Sequence, residues 1–96
     1  MSQYRIPVEE TFSWQRPVIS VLNDEPATPS KGDRYIVGTP TSEDPFDGHA
    51  GSIATCSVGG AAPEWLFDAP TEGWMTYNKD TESIYLYDGA AWGELP

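Results

Sequence analysis

The sequence predicts an all-β, or mainly β, single module of about six or seven short antiparallel strands with an extended N-terminal arm. Three observations carry this. Nine prolines and nine glycines in 96 residues leave only Trp74 to Asp88 as a stretch longer than ten residues without either, so helix is scarce by elimination. That one stretch is itself rich in β-branched and aromatic residues, which fit a pleated surface. Short runs of such residues recur along the chain with turn chemistry between them. Pro plus Gly amounts to 18 of 96 residues, below the roughly 25–30% of a disordered composition, and the aromatic share favours a packed fold.

In chain order, Met1 to Glu10 alternates Tyr4, Ile6 and Val8 with Arg5, Pro7 and Glu9. That period of two, with a proline that cannot donate to a sheet, predicts an extended arm or edge strand. Phe12, Trp14 and the run Val18 to Leu22 follow; five apolar-rich residues fit either one strand or one buried helical turn. Asn23 to Gly32, with Pro26 and Pro29, is loop chemistry throughout. Asp33 to Val37 is a strand stopped by Gly38 and Pro40. Thr39 to Gly51 reads as a surface excursion with one aromatic anchor, Phe46. Ser52 to Val58 is a further strand ended by Gly59-Gly60. From Glu64 to Leu95 four runs (Trp65 to Phe67, Trp74 to Tyr77, Ile84 to Tyr87 and Ala91 to Leu95) predict an antiparallel meander. Asp88-Gly89 is its sharpest turn, because Gly and Asp tolerate the positive φ of a tight hairpin. Ile84 and Leu86 fall on one face of their strand and Tyr85 and Tyr87 on the other, so one face is expected to pack the core and the other to meet a partner. The expected division is an N-terminal docking arm over residues 1–24 and a β domain over residues 25–96.

The formal charge is −10, and it is uneven. Residues 1–34 hold Arg5, Arg16, Lys31 and Arg34 against five acids, whereas residues 35–96 hold ten acids against Lys79 alone. Such a surface repels phosphate backbones, so nucleic acid is not an expected partner. No apolar run approaches the ~20 residues that span a bilayer, and no signal-peptide pattern opens the sequence; a soluble product without membrane insertion is expected. Cys56 is the only cysteine, so no disulfide forms within the chain.

His49 and Cys56 are the only classical nucleophile or base candidates. A Cys–His pair also needs an orienting partner and an oxyanion site, and no signature for either is present. Cys56 is expected to be a small buried strand residue and His49 a loop residue. Zinc needs about four ligands at characteristic spacings, which are missing. Asp44, Asp47 and His49, or Asp80, Glu82 and Asp88, match no calcium-loop pattern. Glu9-Glu10 and Asp24-Glu25 read as solvated acids. No catalytic residue, metal or cofactor is therefore expected. The aromatic set is the serious candidate: Trp74, Tyr77, Tyr85, Tyr87 and Trp92 form either core or a contact surface for a partner or a glycan, and Tyr4, Ile6, Phe12 and Trp14 are candidates for a protein interface.

Several segments occur in an order that carries a family resemblance: Phe12-Ser13-Trp14-Gln15, then Pro26 and Pro29 leading to Gly32-Asp33-Arg34-Tyr35-Ile36-Val37-Gly38, then Gly48-His49-Ala50-Gly51-Ser52-Ile53-Ala54. Trp65-Leu66-Phe67 with Pro70, Gly73-Trp74, and Tyr85-Leu86-Tyr87-Asp88-Gly89 with Trp92 complete it. The chain thereby resembles, over about residues 12–93, the uncharacterised tail-associated module of tailed bacteriophages, prophages and gene-transfer agents. It departs from that pattern between Gly38 and Gly48, where Phe46 stands in place of a commoner Trp. The resemblance implies a virion structural protein, made in the cytoplasm of the bacterial host, that docks on other virion proteins of tail, fibre or capsid surface and contributes to host attachment. It brings no catalytic residues. A homo-oligomer, with a trimer favoured in a fibre, is the expectation for such a component. The alternative is a carbohydrate-binding module for host-surface glycans.

Overall fold

The computed structural model describes residues 13–95. Among them eight short strands form and no helix: β1 (Ser13–Trp14), β2 (Ser20–Leu22), β3 (Arg34–Val37), β4 (Ile53–Val58), β5 (Glu64–Asp68), β6 (Trp74–Asn78), β7 (Ser83–Tyr87) and β8 (Trp92–Glu94). They make two four-stranded sheets, sheet I in the order β1-β6-β7-β8 and sheet II in the order β2-β3-β4-β5. The all-β expectation holds, with eight strands in place of six or seven.

The antiparallel expectation needs two corrections. β1 pairs with β6 and β2 pairs with β3 in parallel. Parallel neighbours need long connections, and both pairs have them: residues 23–33 link β2 to β3, and β1 and β6 are separated by most of the chain. The expected four-strand meander is divided. β6, β7 and β8 are successive antiparallel neighbours, whereas β5 pairs with β4 in sheet II, with a register shift between Cys56 and Val58. Trp65 and Phe67 explain this, because their rings pack under Phe46 on sheet II.

Residues 1–12, the first half of the expected arm, lie outside the described residues. From Ser13 onward that segment runs within the fold. Val18 is fully buried; its N–H donates to Tyr77 O at 2.9 Å, and its carbonyl accepts from Lys79 N at 3.0 Å. Ile19 N then donates to Arg34 O at 2.7 Å, so one short stretch stitches sheet I to sheet II. Thr76 Oγ1 donates to Arg16 O at 2.8 Å and secures the same crossing. The Val18 to Leu22 run is thus extended, and its apolar residues could not be left on a solvated arm without losing their burial.

Two apolar clusters follow from strand alternation. Val18, Ile36 and Ile53 lie between the sheets, with Trp74, Tyr85 and Trp92 of sheet I packed against them. Val37, Phe46 and Ala54 form the second cluster on the opposite face of sheet II, with Leu22, Trp65 and Phe67 around them. The loop from Thr39 to Gly51 closes over that face. Phe46, its fully buried anchor, meets Trp65 and Phe67 edge-on at centroid distances of 5.0 and 5.9 Å. Where this loop leaves β3, a Cβ at position 38 would collide with Asn23 Oδ1 and displace that side chain. That same oxygen accepts Thr39 N at 2.9 Å.

Carboxylates hold the loops. Asp24 accepts from Thr41 N at 2.9 Å, from Ser42 N at 3.1 Å and from the Thr41 hydroxyl. Asp88 accepts from Ala90 N at 2.8 Å and Ala91 N at 2.9 Å beside Gly89, whose φ is 99°. The Thr41 side-chain and backbone bonds hold the Asp24 carboxyl below its ordinary pKa of 3.8. The Ala91 and Ala90 amides do the same for Asp88. A depressed folded-state pKa stabilises fully above the unfolded value and is lost as pH falls through the folded one. Thermal unfolding should therefore show a melting temperature that declines as pH drops below about 4. The double variant Asp24→Asn, Asp88→Asn should decline less over that window, and identical slopes would refute the assignment.

Candidate functional site

Register divides sheet I into two unlike faces. Trp14 stands opposite Met75, Met75 opposite Leu86, and Leu86 opposite Gly93, so these four residues form one row across the sheet. Tyr77 and Ile84 form the next row on the same face, continued by Leu95, whose N–H donates to Ile84 O at 2.8 Å. The face turned away from sheet II thus carries Trp14, Met75, Tyr77, Ile84, Leu86 and Leu95 with no charge among them. Trp14 is 63% exposed, Tyr77 39% and Leu95 38%, and the other three are half-buried. Contiguous exposed apolar surface is often where soluble domains make contacts. A recess of about 440 Å³ between Tyr77, Ile84 and Leu95, rimmed by Glu82 and Ser83, indents it.

The other face of sheet I looks toward sheet II. Trp74, Tyr85 and Trp92 pack there on the central cluster, and Trp92 Nε1 crosses to Gly51 O at 2.8 Å. Tyr87 leans on Trp92 at a centroid distance of 5.4 Å. At this edge the sheets part to leave a cleft of about 420 Å³, with Tyr85, Tyr87 and Trp92 on one wall and Val21, Ile36 and Gly38 on the other. Among the described residues no carboxylate or amine lines it. The five aromatics named from the sequence are therefore not one set. Tyr77 looks outward with Trp14, three rings line the cleft, and Trp74 is structural. Of the four interface candidates, Tyr4, Ile6 and Phe12 lie outside the described residues, and Trp14 is exposed on the outer face.

Met75, Ile84, Leu86 and Leu95 belong to the outer face but were not singled out as contacts. The signal for them was the alternation along β6 and β7, which separates two faces without saying which is inside.

The polar candidates are occupied locally. Cys56 is buried in β4 with Sγ donating to Val58 O at 3.2 Å; burial first, then the charge of Asp33, pushes its thiol up and disfavours the thiolate. His49 stacks flat on Phe67 at 3.8 Å. Asp44 accepts Glu25 N and Phe46 N, each at 2.9 Å. Glu25 accepts Trp65 Nε1 at 2.7 Å, tying the second cluster to the loop before β3. Among the described residues no three His, Cys, Asp or Glu side chains gather at metal-binding distance. Arg34 Nη1 donates to the hydroxyl of Thr55 at 3.1 Å, and its own Nε is buried with no hydrogen-bond partner among the described residues. Burial and the neighbouring Arg16 hold its pKa below the ordinary value.

No curated protein and no solved structure matches the chain. A family model matches residues 4–93, and its description is a protein of unknown function. That match spans both sheets and nearly the whole sequence, so the chain belongs to the family described as protein of unknown function (DUF2793).

Proposed function

We propose that this chain is a non-enzymatic structural module of a bacteriophage-type virion, made in the host cytoplasm and docked on other virion chains of the tail, a fibre or the capsid surface. The observation that carries the docking role is the uncharged apolar face of sheet I, with Trp14, Tyr77 and Leu95 exposed. The ordered motifs from Phe12 to Trp92 support the virion setting. The buried thiol of Cys56 and the stacked ring of His49 fit a module that uses surface and not bond chemistry. Proteomics and electron microscopy of purified particles test this reading. The chain should be present at a fixed stoichiometry, and its absence from particles would defeat the proposal.

A second reading is favoured by one observation, the uncharged cleft with Tyr85, Tyr87 and Trp92 on its wall. Its volume falls within the roughly 300–1,000 Å³ range of ligand sites, and aromatic faces suit the C–H face of a neutral sugar. In this reading the module contributes to host attachment through surface glycans. Calorimetric titration with neutral oligosaccharides should give binding that Tyr87→Ala abolishes and Tyr77→Ala leaves intact. Equal binding by both variants, or none by the unsubstituted chain, removes it.

A further inference from the structure

The face of sheet II that packs on sheet I continues past that contact, and there the fold brings two arginines together. We infer that Arg16 and Arg34 form a binding site for a carboxylate carried by a different protein chain. The inference rests on the docking role proposed above and names the chemistry of one partner group, at a place separate from the outer face of sheet I.

Register places the site. Ile36, Ile53 and Asp68 stand opposite one another across sheet II, and Arg34, Thr55 and Leu66 form the next row on the same face. The first row meets sheet I through Ile36 and Ile53. The second row runs out from under that cover, since Leu66 is 61% exposed. The crossing segment between the sheets carries Arg16 to this row. Its carbonyl accepts Thr76 Oγ1 at 2.8 Å, and Ile19, a short way on, donates its N–H to Arg34 O at 2.7 Å. Arg16 is exposed, and its charge acts on the Arg34 guanidinium.

The pairing is unfavourable in the chain alone. Fifteen acids accompany five Lys and Arg, so an acid is the commoner neighbour to be expected for either arginine. Among the described residues, however, Arg34 bonds no carboxylate. Its Nη1 is taken by the neutral Thr55 hydroxyl and its Nε is buried without a partner, while Asp68 attracts it only through space. A buried donor left unpaired on a charged group, beside a second like charge, destabilises the free chain. An anion seated between the two guanidiniums offsets the repulsion and supplies the missing acceptor.

The groups present select the ligand. Arg34, Arg16 and the Thr55 hydroxyl, whose oxygen already accepts a bond and whose proton is left to give, are all donors. A carboxylate only accepts, and its two oxygens match the parallel N–H groups of a guanidinium. Exposed Leu66 on the same row offers an apolar contact to the rest of the partner's side chain. The formal charge of −10 decides between sources. It disfavours a polyphosphate, and it makes two copies of this chain repel one another, so the acid belongs to a different chain.

Titration of the isolated full chain with succinate at constant ionic strength, followed by arginine side-chain NMR, tests this. The Arg34 Nε–H is shielded from water and serves as the reporter. Its signal should shift saturably, with a Kd of about 1–10 mM. Arg16→Gln, at an exposed position, should weaken binding roughly tenfold, and Asp68→Asn should tighten it by removing a competing carboxylate. Four results would overturn the inference: no saturable shift below about 100 mM succinate, equal affinity in Arg16→Gln, self-association that succinate reverses, or binding that appears only after Glu9 and Glu10 are replaced by glutamine. The third would make a second copy the occupant, and the fourth would put the chain's own acids in the site. Failure here leaves the particle test of the virion role standing, and absence from particles leaves the carboxylate site standing.

Discussion

Replacing Phe46 by alanine should remove a substantial part of the stability of the domain. The ring is fully buried and is the anchor of a loop that has no regular structure of its own. It packs edge-on against Trp65 and Phe67 and against Val37 and Ala54 of sheet II. Deleting a buried phenyl ring typically costs about 3–5 kcal/mol, the transfer term plus the cavity left behind. A domain of this length has about 5–14 kcal/mol in all, so the loss removes between about a fifth and the whole of it. The cost should sit near the upper end, since the two rings beside it are held in place: Trp65 by Glu25 through its indole N–H and Phe67 by the stacked His49. Urea unfolding followed by tryptophan fluorescence checks this, and a loss below 1 kcal/mol would show that the loop does not contribute to the core. Phe46→Leu, which keeps most of the volume, should cost less than half as much.

Trp92→Ala should be nearly as damaging and for a different reason. Trp92 is only partly buried, yet it joins the two sheets twice, through its ring against the central cluster and through Nε1 to Gly51 O. Truncation removes both and deprives Tyr87 of the ring it leans on. A loss of about 3–4 kcal/mol is expected in chemical denaturation. Trp92→Phe separates the contributions. It keeps most of the ring contact and loses the hydrogen bond, worth about 1 kcal/mol in net terms. Were the two variants equally unstable, the indole N–H and not the ring would be the tie between sheets. This result also bears on the cleft. Because Trp92 is structural as well as lining, loss of sugar binding in Trp92→Ala would be ambiguous, which is why Tyr87 is the informative position there. Trp74→Ala is uninformative for the same reason, since that ring packs on Val18, Ile36 and Ile53.

The exposed apolar face of sheet I and the core-facing side of the same strands are consequences of one alternation. Along β7, Tyr85 turns inward and Ile84 and Leu86 turn outward. The more polar aromatic residue therefore sits against the core, and the purely aliphatic pair faces solvent. Tyr accommodates this because its ring buries apolar area while the hydroxyl reaches the cleft and water. The aliphatic pair has no polar atom to reach solvent, so its exposed surface carries a hydration cost that a covering surface would recover.

The local elements were legible in the amino-acid order. Glycine and proline spacing excluded helix, alternation and β-branched content marked β3, β4 and the three strands of the C-terminal meander, and Asp88-Gly89 fixed the last hairpin, because each of these depends on neighbours a few residues apart. The role of Phe46 as anchor was legible too, as a lone large ring in a polar loop. Three things were decided only in three dimensions. The parallel pairing of β1 with β6 and of β2 with β3 depends on contacts between distant segments, which no local period encodes. β5 joined sheet II because Trp65 and Phe67 found Phe46 there, a packing choice invisible in its own five residues. Finally, a period of two separates Tyr85 and Tyr87 from Ile84 and Leu86 but is symmetric between inside and outside. Only the placement of sheet II against one side made the tyrosine face core and left the aliphatic face outside.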